Sequence, residues 1–121
     1  MLTSFGKSLR KLRIDRVERL FDMAKKIGVS SAFLSSVEIG KKPIPSKMEE
    51  KIIEIYNLNQ EVADLLRKEA DICRKSFKVN ASNPLSRETI GMFARVIDNL
   101  SEEKIMEVRQ LIKEMEKESN E

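Results

Sequence analysis

Between Leu20 and Gly40 the chain reads LFDMAKKIGVSSAFLSSVEIG, and this stretch leaves few ways to fold. Leu20, Met23, Ala24 and Ile27 recur at the three-and-four spacing of one apolar helix face. Gly28 follows, a residue free to adopt the backbone turn that ends a helix. Ser30 is placed to cap a second helix, predicted from about Ser31 to Glu38, which buries Leu34 and Val37. Its remaining side chains, Ser31, Ala32, Ser35 and Ser36, point elsewhere. A turn this sharp brings the two helices into close contact, and the small Ala24 permits that approach. Two short helices joined by so tight a turn form the helix-turn-helix pattern.

The rest of the chain supplies helices of the same kind. Phe5, Leu9 and Leu12 define one face of a first helix ending near Arg16, with Thr3 or Ser4 as its cap. Its other faces carry Lys7, Arg10, Lys11, Arg13 and Arg16. Arg13 stands out, because a helix packed on the central pair would let it reach Glu38 as a structural ion pair. After Lys41 and Lys42, Pro43 and Pro45 enforce a turn. Ser46 and Glu49 have the spacing of a capping box, opening a helix with Met48, Ile52, Ile55 and Tyr56 on its apolar face. Asn59 caps a fifth helix whose stripe is Val62, Leu65, Leu66 and Ile72, fading near Lys75.

Periodicity lapses after Ser76, and Pro84 marks a break, so residues 76–85 read as a linker. Ser86 is expected to cap a helix carrying Ile90, Phe93, Ile97 and Leu100. Beyond Ser101 the spacing recurs at Ile105, Val108, Ile112 and Met115, with Glu102 and Glu103 at the helix start, where the dipole favours them. Residues 86–121 thus form a two-helix hairpin that buries little alone. The expected use of Ile90, Phe93, Ile97, Leu100, Ile105, Val108 and Ile112 is dimerisation or packing.

Composition narrows the function. Residues 1–58 hold 12 Lys and Arg against 7 Asp and Glu, whereas residues 59–121 hold 11 against 13. A basic front suits a polyanionic partner, and the acidic back suits another task. There is no histidine, one cysteine and no glycine-rich phosphate loop, and the carboxylates are scattered on helix faces. An enzyme, a metal site and a cofactor are therefore not expected. Cys73 reads as a small buried apolar residue in a reducing compartment. No apolar run nears the roughly 20 residues that span a bilayer, and Met1 to Asp15 is too charged for a secretory signal, so a cytoplasmic protein without membrane contact is expected.

The segments FGKSLRKLR, DMAKKIGVSSAFLSSVEIGKKPIP and EKIIEIYNL together resemble the Cro/CI-like, or xenobiotic-response-element type, helix-turn-helix regulators over about the first 60 residues. The tail MFARVIDNLSEEKIMEVRQLIKE is similar to tails of small regulators from phages and mobile elements. The resemblance implies an all-α protein: a five-helix lambda-repressor-like DNA-binding domain over residues 1–75, then the C-terminal hairpin. It implies a dimeric repressor of double-stranded DNA with helix 31–38 in the major groove. By position, Ser31, Ala32, Ser35 and Ser36 read base edges, and Arg19, Ser30, Lys41, Lys42 and Lys47 contact phosphate. Family members often place Gln or Ser where this chain has Arg19 and Leu20. The alternative is an antitoxin, or a regulator removed by a protease, whose C-terminal helices hold a protein partner.

Overall fold

The computed structural model describes residues 1–119, whose regular elements are all helices with no strand among them. They divide into two units, Met1–Lys78 and the segment from Val79 onward. The first unit holds α1 (Ser4–Arg16), α2 (Leu20–Ile27), α3 (Ser31–Glu38), α4 (Met48–Ile55) and α5 (Gln60–Cys73). Helix α1 packs on α2, α3 and α5, while α4 bridges α2 and α5. Phe5, Leu9, Met23, Leu34 and Ile52 are completely buried where these helices meet, each stabilising the fold by roughly 1.5–3 kcal/mol.

Local chemistry explains most boundaries. Thr3 caps α1 by accepting from the Gly6 amide, and its own hydroxyl donates to the Glu38 carbonyl at 3.0 Å. The Thr3 amide donates to that same oxygen at 2.9 Å, so the end of α3 is satisfied by the start of α1. This junction is tight enough that a Cβ on Gly6 would collide with the Glu38 backbone. Gly28 ends α2 with φ of 89°, and Ser30 caps α3 by accepting from the Phe33 amide at 3.0 Å. Asn59 caps α5 by accepting from the Val62 amide.

Several expectations within this unit need correction: Ile55 of α4 is exposed while Ile53 packs against the core, Cys73 is only partly buried, and two larger differences concern α4 and α5. The Ser46–Glu49 capping box does not form: Lys47, at φ of 65°, precedes Met48, and no side chain caps α4. Glu49 is instead buried against the Arg74 guanidinium, which donates to both carboxylate oxygens at 2.6 Å. A bidentate ion pair with a residue far along the chain outcompetes the local cap. In α5 the buried face is Ala63, Leu66 and Ala70, whereas Val62, Leu65 and Ile72 are exposed. Alanines allow α5 to lie close on its neighbours, so the face with the smallest side chains turns inward.

The second unit contains α6 (Pro84–Val96), a 3-10 turn (Ile97–Asn99) and α7 (Glu102–Ser119). Asn83 rather than Ser86 caps α6, accepting from the Ser86 amide at 2.8 Å, and Pro84 is the first helical residue rather than a break. Proline suits that position because its missing amide would have no helical partner there. The Ser101 hydroxyl accepts from the Lys104 amide at the start of α7. From Val79 to Ser119 no residue is buried. Glu121 and Asn120, included in the expected 86–121 segment, lie outside the described residues.

Candidate nucleic-acid interface

The sole carboxylate of α3 decides the character of its outer face. Glu38 is 3% exposed and turned into the core, where Arg13 Nη1 donates to Oε2 at 2.5 Å and Nη2 to Oε1 at 3.0 Å. Arg13 Nη1 also lies 3.3 Å from the Met23 sulfur, so one guanidinium ties α1 to both α2 and α3. A bidentate pair of this kind fixes the angle between helices as well as neutralising the charge. With Glu38 withdrawn, α3 presents no charged group: Ala32 is exposed, Ser31, Ser35 and Ser36 are partly so, and Phe33 is partly exposed while packing against the core.

Exposed cations surround this face. The Lys41 and Lys42 amides donate to the Ser36 carbonyl at 2.8 and 3.2 Å, which pins the loop to the end of α3 and sets both side chains beside it. Lys47, at the entry to α4, lines a cavity of about 450 Å³ with Gly28, Val29 and Lys51, and with the acidic residues Glu50 and Glu54 farther along α4. It therefore stands over the α2–α3 turn. Arg19 is exposed at the start of α2, where its backbone amide donates to Asp22 Oδ2 at 2.9 Å. None of Arg19, Lys41, Lys42 or Lys47 forms an ion pair among the described residues.

Ser30 already spends its hydroxyl oxygen as the α3 cap, leaving its proton available to an anion. Nothing in the sequence marks Lys51, because its position in α4 reads as an ordinary solvated face. Its ammonium nevertheless lies beside Gly28, where a Cβ would approach it to 3.5 Å, adding a cation to the rim near the turn.

Two other basic residues of this unit, Arg16 and Lys26, are occupied. Arg16 donates to the Tyr56 carbonyl at 2.8 Å, and its guanidinium lies 5.6 Å from the Tyr56 ring centroid. Lys26 pairs with Glu18 and sits 5.1 Å from the same centroid on the ring. Glu18 also accepts from the Tyr56 hydroxyl at 2.7 Å. Burial pushes the Glu18 carboxyl up, but the Lys26 and Tyr56 hydrogen bonds outweigh it and hold the group below its ordinary 4.5. Burial and the Glu18 carboxylate in turn hold the Tyr56 hydroxyl above its ordinary 10.0, keeping it a donor.

The expected dimerisation residues fall on the second unit. Ile90, Phe93 and Ile112 are exposed, while Ile97, Leu100, Ile105 and Val108 are partly covered. Among the described residues no group of His, Cys, Asp or Glu has the arrangement of a metal site, and no helix is long and apolar enough to cross a membrane. Set against protein-family models, curated proteins and solved structures, the chain finds no match.

Proposed function

We propose that this protein is a sequence-specific regulator of transcription that binds double-stranded DNA through α3, in the manner of the helix-turn-helix repressors its sequence resembles. One observation carries the reading: an outward helix face free of negative charge, its own carboxylate buried against Arg13, bordered by cations that form no ion pair among the described residues. Duplex DNA is a dense line of phosphates, and a helix face without carboxylates meets it without repulsion of its own. Ser31, Ala32, Ser35 and Ser36 face the base edges. Arg19, Ser30, Lys41, Lys42, Lys47 and Lys51 hold the phosphates on either side.

Small groups discriminate weakly among bases, since a serine hydroxyl both donates and accepts and Ala32 offers only contact to a thymine methyl. Selectivity then depends on two copies reading half-sites about 34 Å apart, and on DNA shape. The second unit supplies the means to pair. A unit in which nothing is buried cannot stabilise its helices alone, and Phe93, Ile97, Ile105, Val108 and Ile112 give it an apolar surface to share.

Fluorescence anisotropy with a labelled duplex over a salt series tests the reading. Binding is expected to weaken steeply with salt, and Lys41→Ala with Lys42→Ala to lower the slope of log affinity on log salt by about 2 for any sequence. Ser31→Ala or Ser36→Ala is expected to alter the preference among sequences selected from random DNA. Salt-independent or absent duplex binding overturns the proposal. Sedimentation of the same chain separates a homodimer from a monomer whose C-terminal helices await a different protein.

A further inference from the structure

A second concavity in the first unit is built differently from the outer face of α3. It has a volume of about 420 Å³, within the range of ~300–1,000 Å³ typical of small-molecule sites, and lies between the loop after α3 and the end of α5. Val37 and Ile44, both buried, and the partly exposed Cys73 supply its apolar surface. Lys41, Lys42, Arg74 and Lys75 also line it, and no acidic side chain does. Arg74 is committed to Glu49, and it donates as well to the Pro45 carbonyl at 2.7 Å. That clamp holds the proline loop against α5, so the walls are preformed. Lys41, Lys42 and Lys75 pair with no carboxylate among the described residues.

Apolar walls lined by three lysines with no carboxylate partner among the described residues suit one class of occupant: a small organic anion with an apolar body. Two of those lysines, Lys41 and Lys42, are the loop residues proposed to hold DNA phosphate. We propose that this cavity binds a small organic anion and that its occupation draws Lys41 and Lys42 away from the DNA backbone, making the ligand an inducer. The body lies on Val37, Ile44 and Cys73, and the charged end sits among the three lysines. The inducing role rests on the DNA-binding reading, whereas the ligand site does not. Binding to one partner that uses a shared cation lowers affinity for the other by the same factor.

Titration of the full-length ¹⁵N-labelled chain by NMR tests both parts, with phenyl phosphate, inorganic phosphate and phenol as probes at constant ionic strength. Phenyl phosphate is expected to give saturable shifts at Gly40–Lys42 and Cys73–Ser76, at least about tenfold tighter than inorganic phosphate because the ring adds apolar contact. Phenol alone is expected to bind more weakly than phenyl phosphate. Lys75→Ala should weaken phenyl phosphate about threefold, with Lys75→Arg restoring it, while duplex affinity stays within about twofold. Saturating phenyl phosphate should weaken duplex binding about threefold or more. Equal affinity for inorganic and phenyl phosphate, or shifts that never saturate, overturns the site. Saturable shifts with unchanged duplex affinity overturn the inducing role. Saturable shifts in a chain that binds no duplex at any salt keep the site and remove the DNA reading.

Discussion

Ile52 and Ile112 are the same side chain on the same kind of amphipathic helix, yet Ile52 is fully buried and Ile112 is 46% exposed. The first unit closes on itself, five helices meeting in a continuous core and arginines answering the buried carboxylates Glu38 and Glu49. The second has equally regular spacing and nothing inside. Apolar periodicity therefore reports that a face requires cover without saying what covers it. In α2 and α3 the cover is another helix of the same unit, brought near by a turn of three residues, Gly28, Val29 and Ser30.

The most severe way to break the contrast is Glu38→Ala, which leaves the buried Arg13 unpaired. Urea unfolding should show a loss of about 3–5 kcal/mol. The double variant Arg13→Met, Glu38→Leu should lose less, since two apolar groups replace the pair. A loss under about 1 kcal/mol for Glu38→Ala means the first unit is not organised around that pair. Ile112→Asp carries the test to the second unit. It should abolish the self-association proposed for this unit, read by sedimentation, and shift the unfolding of the first unit by no more than about 0.5 kcal/mol.

Acid exposes a subtler difference. The Glu18 carboxyl titrates lower folded than unfolded, so its contribution is complete above its ordinary 4.5 and fades as pH falls through the folded value. Glu18→Gln should flatten the loss of stability below pH 4.5, visible in thermal melts across an acid series. Unchanged acid sensitivity would show that the Glu18, Lys26 and Tyr56 cluster does not contribute. The smallest effect belongs to the second unit's exposed Lys104–Glu107 pair at 3.2 Å. Glu107→Ala should change stability by under about 0.5 kcal/mol.

Much of the candidate site could be read in advance because its signals are local. Gly28 after an apolar face, a serine before the next helix, and four small residues on the far side of Leu34 and Val37 each follow from the geometry of one or two helical turns. Lys51 escaped notice for the opposite reason. Nothing near it in the chain distinguishes it, and its nearness to Gly28 exists only once α4 is docked. The same holds for Glu49: its local spacing to Ser46 matches a cap, but Arg74 reaches it from 25 residues away. Asn83 and Pro84 are legible but ambiguous, since a proline punctuates a helix from its first position as readily as from beyond its end.

By itself the sequence determined the helical periods, the capping of α1, α3 and α5, the left-handed turn at Gly28 and the basic bias of the first half. These are properties of neighbours within about four residues, where propensity and hydrogen-bond reach dominate. Tertiary structure alone decided which face of α5 turns inward, which carboxylates are buried, and which cations remain for an external anion. Those depend on competition between groups far apart in the chain. A buried guanidinium is stabilised by whichever carboxylate the packed helices bring within hydrogen-bond distance, not by the nearest one in sequence.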